Sequence, residues 1–341
     1  MVRMKVCFFA RVKDKQLFEL VDFYRNDIRI LKELGFQVIL INRFSDIPLD
    51  CDLYFTWWWS TGILSIVKSK LARKPNIVVS ALHYYDRTKF GYFSRPLWER
   101  LVMRLSMRLA DWNLAISKVD FDGLHELGIH NSSMVYLCVG TNKYYSGKLC
   151  AQDRYLVVSI AHLNKLSIAR KKLKLVIQSI PFVVEELPKV RFVIAGSKES
   201  GFEELESLAK EINVSNFVYF PGRITIEEKI NLYQKTRVLV QPSVFEAFGM
   251  AQAEAMSCGV PVITNKVGAL TEVVGGCGIY LANDDPKELA DQICRLFKDE
   301  ALWNDLSIKS RERIQANFSY QLRKEKIRET IEMVMKRRNK L

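Results

Sequence analysis

The chain has 341 residues, 49% of them apolar, which is long for one domain and enough for two full hydrophobic cores. Its net charge of +13 lies mainly in the front half, where residues 1–150 carry 22 Lys and Arg against 14 Asp and Glu; such a surplus suits nucleic acid, an anionic membrane surface or a nucleotide-phosphate substrate and by itself chooses none. Seven scattered cysteines form no C-x-x-C pair and four histidines share no metal-ligand spacing with them, so neither a zinc site nor a disulfide framework is indicated, and no apolar run is long enough to span a bilayer.

Arg11 interrupts the first apolar run before a secretory leader can form, and a reducing cytosol is the expected setting. Lys5–Ala10 instead reads as a buried strand, Phe18–Leu34 as an amphipathic helix closed by Gly35, and Gln37–Asn42 as a second strand, a βαβ opening. Asp50-Cys51-Asp52 has the D-x-D form of metal-held nucleotide sites. It precedes the strand Leu53–Thr56, whereas ligand loops follow strands, which argues against a metal there. Trp57-Trp58-Trp59 stands at the carboxyl end of that strand; either some of the rings face a ligand or at least two are packing. Ile77–Leu82 is a further strand with His83 directly after it. Pro96–Trp112 reads as a helix with Arg100, Arg104 and Arg108 at i, i+4 and i+8 among Leu, Val and Met. Two readings stay open: a basic amphipathic helix on an anionic leaflet, or a core-facing helix with a solvated arginine face.

The polar stretch Tyr144–Asp153 is the linker. A second domain starts with the strand Tyr155–Ile160, and Arg170-Lys171-Lys172 is placed at the start of a helix. Arg191–Ala195 and Val218–Phe220 end in loops carrying Gly196 and Pro221-Gly222-Arg223. Val238–Val240 and Pro261–Thr264 are short buried strands, and between them Met250–Cys258 is a helix stopped by Gly259 and Pro261. The loop Ser243–Gly249 therefore lies at a strand's carboxyl end. Gly249 lets backbone approach a ligand, and the N–H groups of Phe248, Gly249 and Met250 at the helix start suit a diphosphate. Glu246 and Glu254 stand beside that anion site: either they accept hydrogen bonds from sugar hydroxyls, or Glu246 only stabilises the helix start and Glu254 is a solvated helix residue. Asp285–Met335 is helical with a break near Asn317.

The pattern Pro242-Ser243, Glu246, Phe248-Gly249, Glu254-Ala255-Met256, Cys258-Gly259 and Pro261-Val262-Ile263, with seven residues between the two glutamates, resembles the donor-site signature of retaining GT-B glycosyltransferases of family 4, the glycogen synthase-like group. The resemblance is strong over roughly residues 155–320 and, apart from His83, only architectural before that, where Asn113–Ser117 and Val135–Gly140 resemble the last strands of the family's first domain. It implies an α/β fold of two Rossmann-like parallel-sheet domains facing across a cleft: an acceptor-side domain over 1–148, a nucleotide-sugar domain over 149–317, and a final helix, 318–341, crossing back onto the first. It implies a metal-independent hexosyl transfer with no cofactor beyond a nucleotide-diphosphate sugar donor, to a glycan or lipid-linked acceptor. From the residues themselves the expected setting is the cytoplasm, with a peripheral place on the inner face of the membrane if Pro96–Trp112 lies on the leaflet.

By the same resemblance His83, Arg170, Lys171 and Glu246 are the catalytic residues, and Gly196, Gly222, Arg223, Ser243, Phe248, Gly249, Met250 and Glu254 bind the donor. The chain departs from the family where a Gly-Arg is usual, with Ala161-His162 in that place; Arg170, or else His162, is the substitute. The usual Gly-Gly turn after the first strand is also replaced, by Arg11-Val12-Lys13-Asp14. A non-catalytic nucleotide-sugar-binding partner and a GT-B epimerase are the alternatives. A nucleic-acid role is set aside, because no helix-turn-helix, zinc or RNA-platform signature accompanies the charge.

Overall fold

A computed structural model describes residues 3–86, 88, 91–144 and 155–338. The chain divides into two compact units, Met1–Cys138 with Tyr320–Leu341, and Val139–Ser319. Apart from Tyr144, the linker stretch lies outside the described residues.

Unit 1 holds six parallel strands: β1 Lys5–Phe9, β2 Gln37–Ile41, β3 Leu53–Trp57, β4 Asn76–Ser80, β5 Trp112–Ala115 and β6 Ser132–Met134, in the order β2-β1-β3-β4-β5-β6. The apolar runs VCFF and LYFTW are buried along their whole length, as a sheet covered by helices on both faces requires. Unit 2 repeats the architecture with β7 Leu156–Ile160, β8 Arg191–Ala195, β9 Val218–Tyr219, β10 Val238–Val240, β11 Val262–Asn265 and β12 Ile279–Leu281. Its order is β12-β11-β10-β7-β8-β9, again wholly parallel. In each sheet one strand pair marks the reversal of winding, β1/β3 in unit 1 and β7/β10 in unit 2. In open sheets of this kind ligands bind beyond the carboxyl ends of such a pair.

Several expectations need correction. The last strand of unit 1 is Ser132–Met134, because pairing with β5 begins at Asn113↔Ser132; Val135 only continues the edge by donating to the Ala115 carbonyl at 2.8 Å, and Val139 instead forms an isolated bridge with Ser319. The first helical stretch is two helices, Leu17–Leu20 and Asp22–Glu33, parted at Val21 in extended conformation. Arg170-Lys171-Lys172 joins two helices rather than starting one: Arg170 ends Lys165–Arg170, and Lys172 in the left-handed region precedes Leu173–Glu186. The C-terminal helical region breaks twice, at Asp299 as well as near Phe318, since the Asp299 carboxylate caps Leu302 N–H at 2.9 Å and starts Glu300–Asn317.

The D-x-D carboxylates are structural. Asp50 pairs with Lys5 Nζ at 2.7 Å, and Asp52 accepts from the Lys5 backbone N–H and from Lys74 Nζ. Two of the three tryptophans are core residues: Trp57 and Trp59 are fully buried, and Trp59 Nε1 donates to Asn113 Oδ1 at 2.8 Å.

Candidate functional site

Unit 2 builds a polar cluster at its β7/β10 reversal. The chain leaving β10 must turn sharply at Pro242, and the following loop is tied on three sides. Ser243 N–H donates to Asn265 Oδ1 at the end of β11, Val244 N–H to the Arg170 carbonyl, and the Glu246 carbonyl accepts from Ala269 N–H at 2.9 Å. The last contact depends on Gly268: its φ is +49°, and a Cβ there would stand 2.3 Å from the Glu246 carbonyl oxygen.

Held this way, the Glu246 carboxylate is buried and accepts from Ser243 Oγ at 2.9 Å and from Lys171 Nζ in a close ion pair. Burial pushes the Glu246 carboxyl up, but the charges of Lys171 and Arg170 outweigh it and hold the group below the ordinary carboxylate range. Burial, with the neighbouring Arg170 charge, lowers the Lys171 ammonium from its usual value. Arg170 is half-buried, its charge acting on both members of the pair.

Three residues on, Gly249 starts the helix Met250–Ser257 with φ +96°, where a side chain would strike Leu270 Cδ2 at 2.5 Å. The first-turn N–H groups have no acceptor within the helix and leave a partial positive charge beside the Lys171–Glu246 pair. The cluster thus brings an acceptor-only carboxylate and a cationic ammonium into contact across 75 residues of chain, with a dipole end three residues after the carboxylate, the complement of a hydroxyl-bearing anion.

The other expected residues are placed less uniformly. Gly196 N–H donates to the Gly222 carbonyl at 2.9 Å, joining the ends of β8 and β9, and Arg223 beside them is exposed. Phe248 is buried edge-on against Phe318 at 5.6 Å, a packing role. Met250 is half-buried. Glu254 is buried and accepts from Lys229 Nζ at 2.8 Å and Tyr233 OH at 3.2 Å. His162 is exposed and its ring faces Glu199 Oε1 at 3.1 Å.

In unit 1, His83 follows β4 with φ +54°. Its N–H donates to Asp120 Oδ1 at 2.8 Å, its carbonyl accepts from Tyr92 and Asp86 N–H, and its Nδ1 lies 3.6 Å from Asp86 Oδ2. Burial pushes the Asp86 carboxyl up; hydrogen bonds from His83 and Thr88 reverse this and bring it below its ordinary value. Asp120 is wholly buried, which pushes its carboxyl up to about 6. Sequence reasoning met Asp120 only in the weak D-x-D Asp120-Phe121-Asp122 of a helical pattern, and passed over Asn265, Lys229 and Tyr233. Only the last two carried a local signal, as an i, i+4 pair on the helix Ile226–Lys235.

Two doubly wound parallel units, each with a polar group at its strand ends, define an α/β protein of the GT-B fold. Residues 155–299 match the family model described as Glycosyl transferases group 1, and over that segment the chain is similar to this family. It is 26% identical to the N-acetyl-alpha-D-glucosaminyl L-malate synthase of Bacillus anthracis, over 71% of this chain and 64% of the relative. It is 33% identical to a D-inositol 3-phosphate glycosyltransferase of Streptomyces bingchenggensis, over 38% of this chain and 30% of the relative. The matches thus span less than two thirds of these relatives' lengths. Among solved structures, the Anabaena protein HepE in complex with UDP-glucose superposes with TM-score 0.78 at 17% identity, covering 97% of this chain and all of the other. Sucrose-phosphate synthase of Thermosynechococcus elongatus superposes with TM-score 0.76 at 19% identity, covering 98% and 99%.

Proposed function

We propose that the chain is a retaining glycosyltransferase that moves a hexosyl group from a nucleotide-diphosphate sugar to a glycan or lipid-linked acceptor. The observation that carries this is the Lys171–Glu246–Ser243 cluster at the β7/β10 reversal, next to the start of the helix Met250–Ser257. The diphosphate lies at the helix start, with Lys171 and Arg170 meeting the charge that develops as the bond from the sugar's anomeric carbon to phosphate oxygen breaks. The acceptor hydroxyl attacks from the same face and its proton passes to the departing diphosphate, so configuration is retained. Glu246 accepts a hydrogen bond from a hydroxyl of the transferred sugar, and binding exchanges that bond for part of the Lys171 contact. Cationic side chains supply the neutralisation, so we propose that no metal is needed and that EDTA leaves turnover unchanged. Several solved neighbours are described in complex with UDP or UDP-glucose, which makes UDP-sugars the first donors to try.

The test is twofold. Thermal shift is measured against UDP, GDP, ADP and their sugars, and nucleotide-diphosphate release is followed without acceptor. Glu246→Gln lowers turnover about 10- to 1000-fold with donor affinity little changed, the signature of an interaction made chiefly in the transition state. Stabilisation by a nucleotide with no release under any donor would instead identify a non-catalytic binder, and interconversion of two donor sugars an epimerase.

A further inference from the structure

The helices Ile63–Leu71 and Leu97–Leu109 pack side by side in unit 1 and expose the wrong faces for a protein surrounded by water. On the first, the buried positions include Ser65 and Ser69, whose hydroxyls bond Thr56 and the Ile66 carbonyl, while Leu64, Val67 and Leu71 on the opposite side are between 37% and 72% exposed. On the second, Met103, Ser106 and Met107 face inward, and Leu97, Trp98, Leu101 and Leu105 are between 50% and 67% exposed. Phe93, just before the second helix, is exposed as well. The spacings i, i+3, i+7 and i, i+4, i+8 make each set a continuous stripe along its helix.

The arginines expected to form the outward face lie beside it. Arg100 and Arg104 are half-buried on the flank, Arg104 reaching the Leu127 carbonyl, and of the three only Arg108 is exposed. Residues 63–74 carry four basic residues and no acid, and residues 95–109 carry four arginines against Glu99, so this short pair of segments holds +7 of the chain's +13. The last helix, Tyr320–Arg338, adds Arg337 over the Trp112 ring and Arg338 beside Asp111, next to the end of the second helix.

We infer that this two-helix face binds an anionic lipid bilayer, with Trp98, Leu101 and Leu105 entering the headgroup–acyl boundary. An apolar stripe carrying an indole and rimmed by cations matches both the greasy and the negatively charged layers of such a surface. Among the described residues no helix is long and apolar enough to cross a membrane, so the contact is one of lying on the surface. The inference does not depend on the donor chemistry and fails or stands apart from it.

The experiment is co-sedimentation of the full chain with phosphatidylcholine vesicles, with and without one third phosphatidylglycerol, at low and high salt. The wild type binds the anionic vesicles at low salt and keeps a part of that binding at high salt, since the apolar contribution is not screened. Trp98→Ser/Leu101→Ser/Leu105→Ser, at exposed positions, weakens binding at least tenfold at both salts; Arg73→Gln/Arg108→Gln weakens it less, and only at low salt. Tryptophan emission of the wild type is quenched by brominated acyl chains, and Trp98→Phe loses that quenching. An absence of wild-type binding, a triple variant that binds as the wild type does, or a face that proves to join two copies in sedimentation without lipid overturns the inference.

Discussion

Asp120 is a buried carboxylate with a backbone to hold. It accepts the N–H of His83, a residue kept at φ +54° where a side chain is uncommon, and burial raises its carboxyl to about 6 against an ordinary 3.8. Between about pH 4 and 6 the folded chain retains a proton that the unfolded chain has released. Stability therefore falls as pH rises through that window, by roughly 3 kcal/mol in all, and is level above it. Asp120→Asn keeps an acceptor for His83 and removes the slope. Urea unfolding can be followed by tryptophan emission, because Trp57, Trp58, Trp59, Trp98 and Trp112 all lie in unit 1. The variant should gain on the wild type from pH 4 to 6 and run parallel above; parallel curves throughout would remove Asp120 as the titrating group. Glu246 was legible in the sequence because its partner Ser243 and the helix-starting Gly249 stand beside it in a single loop. Asp120 was not, since it meets His83 across 37 residues of chain and no local pattern records that meeting.

At the scale of elements, the final helix shows how a polar residue can fix a packing arrangement. Arg323 is buried and grips Asp27 through two parallel bonds of 2.6 and 2.8 Å, while also donating to the carbonyls of Val135 and Tyr136. Around it Ile327, Ile331 and Val334 are buried in unit 1, although the helix as a whole is strongly charged. Arg323→Met strands a charged Asp27 without water and costs unit 1 roughly 3–5 kcal/mol, whereas Asp27→Leu/Arg323→Met recovers most of it. The same tryptophan-monitored unfolding measures both, and a double variant as unstable as the single would show that the loss is one of packing. Most strands were legible from short β-branched runs ending at turns. The faces of the helices were not: periodicity in Pro96–Trp112 shows that two faces exist, and inward-pointing serines on the neighbouring helix show why it cannot say which one meets the core.

Over the whole molecule, the two sheets differ in strand order but share one rule, that the loops able to meet a ligand follow the strands beside the reversal of winding. In unit 2 these are the segments after β7 and β10, and the Lys171–Glu246–Ser243 cluster and the start of the helix Met250–Ser257 both lie there. The family match over residues 155–299 contains every one of these residues, which is why this half could be read as a site from sequence, whereas the first half yielded architecture and one histidine. If the nucleotide diphosphate is held by this cluster, its effect is localised. At a concentration 100-fold above its dissociation constant it stabilises the chain by about 2.7 kcal/mol, and hydrogen exchange slows first in residues 161–172, 241–254 and 265–270. The strands of unit 1 exchange as before. Slowing confined to Glu254, Lys229 and Tyr233, with the Ser243–Gly249 loop unchanged, would move the donor away from Lys171 and Glu246 and leave those two as a structural ion pair.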